Sequence, residues 1–306
     1  MQATANAQAL RASLEYLQTL FHTRLALHFG KKSGYRSLGE VPLPNLNDES
    51  GAFTRFIAGT ALTRDEYAVL LLALAPHIQA GFFDAIISEA LPDAGDYPLL
   101  GGFRGKQFRG FLPTAETALF LLAGTDLARR FEVQAMFSED HFFAREQVLY
   151  LEEPAEGEPA MSGKLMLNPD FVDLFTIGRV ALPKFSMNFP AQRISTEMEW
   201  EDLVLGAQTL RQIRELEAWV EHGDTLLYDW GMKKRIKPGY RALFFGPPGT
   251  GKTLTASLLG KYTGREVYKV DLSMVVSKFI GETEKNLARL FGKAENKDWI
   301  LFFDEA

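Results

Sequence analysis

Leu10, Leu14, Leu17, Phe21, Leu25 and His28 recur at steps of three and four, which predicts an amphipathic helix over about residues 7–29, closed by Gly30. Residues 31–52 are dense in Gly, Pro, Asn, Asp and Ser and read as a loop. Helices are expected at about 64–78, with Thr63 as N-cap, and at about 81–91, and a fourth starts near Pro113 and Thr114. At 146–151 the pattern changes to that of a strand. The acidic, proline-bearing stretch 152–159 then reads as a solvated loop or the tip of a long hairpin. A short helix opens at Asp170, and 185–196 reads as a linker.

Beyond Thr196 the elements alternate. Residues 199–205 read as a short extended piece, and Leu210, Ile213, Leu216 and Trp219 mark an amphipathic helix. A buried strand is predicted at 242–245, a helix at 252–262 and a strand at 267–272. A helix at 282–295 and a buried strand at 299–303 complete the run. That rhythm is the one of an α/β fold on a parallel sheet. The pattern divides the chain into a mainly helical region, 1–190, and an α/β region, 191–306.

Composition narrows the chemistry. The chain has 306 residues, enough for two domains and a sizeable core, and no cysteine, which excludes disulfides, thiolate metal sites and cysteine nucleophiles. A net charge of −6 argues against a general polyanion binder, so nucleic acid is disfavoured. The apolar runs are too short to span a bilayer and no signal peptide is seen, so a cytoplasmic protein away from membranes is expected. His22, His28, His77, His141 and His222 are dispersed without ligand spacing, which argues against a metal other than Mg²⁺. The stretch 101–111 interleaves Arg104, Lys106 and Arg109 with phenylalanines and reads as a glycine-rich loop before a helix.

One segment carries specific chemistry. Gly246-Pro247-Pro248-Gly249-Thr250-Gly251-Lys252-Thr253 satisfies G-x-x-x-x-G-K-[ST], after a predicted strand and before a predicted helix. The glycines permit backbone angles that turn successive N–H groups onto phosphates, and the helix adds its N-terminal dipole. Lys252 supplies a cation to the β- and γ-phosphates, Thr253 a hydroxyl to Mg²⁺, and Leu254 completes the ATP-binding stretch. The apolar run 299–303 ends in Asp304 and Glu305, about 50 residues after this loop. There Asp304 would hold the Mg²⁺ shell, and Glu305 would act as general base or orient the attacking water.

At these two motifs the chain resembles the AAA+ ATPases, of the type whose loop reads GPPGTGKT. The resemblance covers about 197–306. It implies a P-loop NTPase fold and an enzyme that hydrolyses an acid anhydride bond. It further implies a homo-hexameric machine that remodels or threads a protein substrate. In this likeness Lys278, Phe279 and Ile280 match the first pore loop, and Leu203 and Val204 match the residues that sandwich adenine. The family's Gly-Gly pair after that point is replaced here by Val204 and Leu205. The helical region is compatible with a winged-helix-like module. The whole chain is similar to AAA ATPases found beside bacterial contractile injection systems, which implies components of such systems as partners.

In the resembled fold a further strand with a sensor residue lies between the strand before the loop and the strand bearing Asp304. The arginine finger, second sensor and helical lid come later still. The chain is therefore expected to be a truncated form that binds nucleotide poorly and is inactive, the intact protein doing both. Two other classes stay open: a DNA-associated ATPase with a winged-helix N-domain, and a nucleotide-gated scaffold that hydrolyses slowly.

Overall fold

Leu10, Leu14, Leu17, Phe21 and Leu25 form one buried stripe on α1 (Gln2–His28). Gly30, at φ 62, closes the helix, and the Lys31 N–H reaches back to the Ala26 carbonyl at 2.8 Å. The computed structural model describes residues 2–46, 51–91, 97–186, 189–236, 239–276, 282–295 and 297–304. It divides into two units, Met1–Ala181 and Leu182–Ala306.

In the first unit α1 is followed by α2 (Ala52–Thr60), α3 (Arg64–Ile78), α4 (Phe82–Ala90), α5 (Ala115–Ala123) and α6 (Leu127–Gln134). Then come α7 (Phe142–Arg145), the antiparallel hairpin of β1 (Leu149–Leu151) and β2 (Leu165–Leu167), and α8 (Pro169–Ile177). Thr63 caps α3 as expected: its Oγ accepts from the Glu66 N–H, and Glu66 accepts from the Thr63 N–H at 2.7 Å. Every residue of α3 from Tyr67 to Ala75 is buried, which makes it the central helix of the unit. The Arg24 guanidinium of α1 donates to the Leu121 and Leu122 carbonyls at 2.7 and 3.1 Å, so a cation meets the C-terminal end of α5.

Three helices of this unit, α2, α6 and the four-residue α7, were not expected from the sequence. The first, α2, begins without a local cap: buried Asn6 accepts from the Phe53 N–H at 3.1 Å and donates to the Leu174 carbonyl at 3.3 Å. In α6 only Val133 is buried, so no apolar stripe marks it. The core closes on an aromatic cluster, with Phe175 fully buried and its ring 5.2 Å from Phe53 and 5.0 Å from Phe56. Phe175→Ala is expected to cost about 3–5 kcal/mol through lost burial and a residual cavity. That corresponds to a fall in Tm of about 10 °C by circular dichroism, and a fall below about 2 °C would contradict this account of the core.

The second unit holds β3 (Ala191–Ile194), α9 (Ala207–Asp224), α10 (Lys252–Thr263), β4 (Glu266–Val270), α11 (Leu272–Val275), α12 (Glu282–Ala294) and β5 (Trp299–Phe303). The sheet order is β3-β4-β5. β4 is the middle strand, with Val267, Tyr268 and Val270 all buried. It pairs antiparallel with β3 (Ala191 opposite Val270) and parallel with β5 (Glu266 opposite Trp299). Phe189, Ala191, Tyr268, Val270, Val275 and Leu290 form the core on one side. Across the sheet, Gly260 lets α10 sit close to β4, since a Cβ there would stand 2.1 Å from Val267 Cγ2.

Several expectations are corrected. The stretch read as a linker contains β3, which makes the sheet mixed rather than parallel. The piece 199–205 read as extended contains a single 3₁₀ turn, Trp200–Asp202. β5 is half-buried along its length rather than buried. The expected buried strand at 242–245 does not form: Leu243 is 81% and Phe245 90% exposed. Strand-forming composition is realised only beside a partner edge. Among the described residues both edges of β4 are taken, and no strand pairs with 242–245. No single described helix is long and apolar enough to cross a membrane.

Candidate functional site

The glycine-rich loop leads into α10 by positive backbone angles at three places: Gly246 at φ 148, Gly249 at φ 80 and Gly251 at φ 87. Gly251 is the N-cap of α10, and its carbonyl accepts from the Thr255 N–H at 2.8 Å. Thr250 Oγ donates to the Pro247 carbonyl at 2.9 Å, bracing the turn. Lys252 Nζ lies folded over the same loop and donates to the Gly246 and Pro247 carbonyls at 3.0 and 2.9 Å. Gly246, Pro247, Pro248, Gly249 and Thr250 are exposed, while Gly251, Lys252, Thr253 and Leu254 are half-buried in the first turn of α10. Twelve residues of helix thus start at a loop of bent backbone with a lysine at its mouth, an arrangement suited to a polyphosphate.

The placement of Asp304 follows from the chain path. Only Gly264 and Arg265 separate α10 from β4, so the helix runs back against the strand. Its length of about 18 Å matches the roughly 17 Å of a five-residue strand. The start of α10 therefore lies toward the C-terminal end of β4, and of β5, which is parallel to it. Asp304 follows β5 at that end, the end where ligands bind in sheets of this class. Its carboxylate pairs with Lys269 Nζ of β4 at 2.6 Å, a partner the sequence did not suggest. Asp304 and Thr253 present hard oxygen donors, the chemistry Mg²⁺ takes, and Lys269 shows that the Asp304 site already accepts a cation.

Leu203 is brought to the loop. A Cβ on Gly251 would stand 2.4 Å from Leu203 Cδ1, so the leucine packs directly on the N-cap of α10. Val204 is not brought with it and is 95% exposed. A polar clamp on α10 holds this segment. Glu199 takes Lys261 Nζ at 2.8 Å and the Tyr262 hydroxyl at 2.5 Å. Lys261 also donates to the Met198 carbonyl at 2.9 Å, and the Trp200 and Tyr262 rings stand 5.8 Å apart. The hydrogen bonds from Lys261 and then Tyr262 hold the Glu199 carboxyl below the usual carboxylate range. The clamp is thus present above that range and is lost only as pH falls through the lowered value. Sequence reasoning missed the clamp because its partners are more than sixty residues apart. Glu305 and the pore-loop residues Lys278, Phe279 and Ile280 lie outside the described residues.

The contact at Gly251 is testable. In the full-length protein Gly251→Ala is expected to weaken ATP binding by at least about tenfold, because the site needs positive φ and the added methyl displaces Leu203. Gly264, at φ 68 with open space around its Cβ position, is the control for strain alone. Gly264→Ala is expected to leave affinity within about twofold. Fluorescent-nucleotide titration reads both, and equal effects at the two glycines would refute a specific role for the Leu203 contact.

Comparison with known proteins bears on this site. Residues 242–306 match the family described as "ATPase family associated with various cellular activities (AAA)". The chain is 33% identical over 126 residues to the AAA family ATPase y4kL of Sinorhizobium fredii, covering 41% of this chain and 36% of that protein. It is 36% identical over 146 residues to the peroxisomal ATPase PEX6 of Pichia angusta, covering 47% of this chain and 12% of that protein. Against Protein SAV of Sulfolobus acidocaldarius the identity is 36% over 110 residues, 36% of this chain and 14% of the relative. The matched stretch thus spans between about a third and an eighth of these relatives. AAA ATPase character is supported for the part of the chain that carries the loop and Asp304.

Proposed function

We propose that the protein binds ATP at residues 246–254 and hydrolyses it, and that the cycle drives remodelling or threading of a protein substrate by a ring-shaped homo-hexamer in the cytoplasm. The observation that carries the reading is the loop itself. Three positive-φ glycines open a twelve-residue helix, Lys252 stands at its mouth, and Leu203 is clamped onto its N-cap. Leu203 would meet the base, and the backbone N–H groups and Lys252 the phosphates. When bound between Thr253 and Asp304, Mg²⁺ supplies neutralisation of developing phosphate charge. Lys269 holds Asp304 in place, and Asp304 with Thr253 would hold the metal ion. Glu305 takes the proton of the attacking water. Phe279, between Lys278 and Ile280, would grip extended polypeptide in the ring channel.

The first unit would select the partner. Its element order supports the winged-helix-like reading: a bridge from Thr114 to Lys164, helices α5 and α6, then the β1–β2 hairpin. The hairpin loop carries Glu152, Glu153, Glu156 and Glu158, a charge that opposes a DNA backbone and favours protein partners. Components of a contractile injection system are the proposed partners, on the likeness of the whole chain. ATP turnover by the full-length protein, read beside Glu305→Gln with sizing in ATP, tests the reading. Wild-type turnover no faster than the variant's would transfer the case to a nucleotide-gated scaffold.

A further inference from the structure

Between α2, α3, α7 and α8 the first unit encloses a cleft of about 670 Å³. Phe56, Phe142 and Phe171 wall it, with the Phe56 and Phe171 rings edge to face at 5.4 Å. Glu66 and Glu146 are its charged lining residues, and no lysine or arginine lines it. Both oxygens of Glu66 are engaged. Its Oε2 accepts from the Thr63 N–H and hydroxyl, both at 2.7 Å, and its Oε1 faces His141 Nε2 at 3.0 Å. His141 Nδ1 accepts from the Phe143 N–H at 3.3 Å, which turns Nε2 of the same ring toward Glu66. No described residue pairs with the exposed Glu146 carboxylate. The last turn of α2, at Gly59 and Thr60, adds the negative end of a helix to the same wall.

The backbone around the cleft is held in an unusual state. Ala61 at φ 49 and Gln147 at φ 50 are the positive-φ residues other than glycine among those described. Ala61 lines the cleft, and Gln147 stands between the lining residues Glu146 and Val148. A volume of this size with two carboxylates is too open and too apolar for a metal ion, which needs several convergent oxygens. Aromatic walls beside the exposed Glu146 carboxylate and the C-terminal end of α2 suit a cation that is flat and carries an apolar stem. A guanidinium stacks on phenyl rings and takes a carboxylate through paired N–H groups, which an ammonium does not match.

We propose that this cleft binds an arginine side chain presented by a protein ligand. The proposal deepens the reading that the first unit selects the protein partner. Its test uses no nucleotide, so the two can fail separately. Saturation-transfer NMR with the whole chain and the blocked tripeptide Ala-Arg-Ala measures contact with the arginine methylenes. The counterpart peptide carries citrulline, which keeps the shape and removes the charge. Transfer is expected to fall at least about threefold on changing arginine to citrulline, and by as much in Glu146→Lys. Glu146 is exposed, so the variant is expected to keep the wild-type melting temperature. Should it melt early, Glu146→Gln serves in its place with the same expected direction. Equal transfer to the arginine and citrulline peptides, no transfer to either, or wild-type transfer in a folded Glu146 variant would each overturn the proposal.

Discussion

In the full-length protein Lys252→Ala is expected to weaken ATP binding by about two orders of magnitude. The lysine sits on the loop it serves, its Nζ donating to the Gly246 and Pro247 carbonyls at 3.0 and 2.9 Å. These are exposed bonds to neutral acceptors, worth about 1 kcal/mol net each. Phosphate oxygens offer charged acceptors in the same reach, at about 1.5–3 kcal/mol each. The exchange therefore favours the nucleotide complex by roughly 1–4 kcal/mol, or about 5- to 1,000-fold in Kd. Lys252→Arg keeps the charge, but its planar fork does not fit the turn closed by the two carbonyls, and a clear loss is expected there too. Because the lost bonds are exposed, the melting temperature should barely change. Fluorescent-ATP titration at fixed ionic strength decides the matter: an alanine variant within about threefold of wild type would mean that the lysine does not engage phosphate.

What could be read along the chain depended on whether its cause was local. α3 was legible because Thr63 and Glu66 cap it from within three residues and an apolar run follows. α2 was not, since its N-terminal N–H is satisfied by Asn6, 47 residues away, and a Cβ on Gly51 would meet the Asn6 oxygen at 2.5 Å. β3 looked like a linker because its identity lies in pairing: Arg193 meets Glu266 across to β4, and one face holds only Ala191 at full burial. The segment 242–245 shows the reverse error, with strand composition and no partner edge. The phosphate loop was legible because its geometry is written in the glycines themselves, whose positive φ values fall at the motif positions. The Glu199 clamp, the Lys269–Asp304 pair and the arginine cleft were not, since each joins elements far apart in the chain.

Glu305→Gln separates binding from turnover. The substitution keeps the size of the side chain and removes its ability to take a proton, so ATP should bind within a few-fold of wild type. Loss of a positioned general base lowers a rate by about 10²- to 10⁴-fold, and a fall of that order in turnover is expected. Asp304→Asn should behave differently. Its carboxylate holds Lys269 at 2.6 Å and would hold the metal, so the neutral variant loses nucleotide affinity in the presence of Mg²⁺ as well as rate. Lys269→Met addresses the same pair from the other side, leaving Asp304 charged and unpaired by lysine, and should tighten rather than weaken the Mg²⁺ dependence of binding. If nucleotide closes a ring, the Glu305→Gln protein, loaded but slow, should accumulate as the large species in ATP, whereas Asp304→Asn and Lys252→Ala should stay small. Should all three variants size alike while turnover differs, assembly is independent of ATP occupancy, and the nucleotide acts on the substrate within a ring already formed.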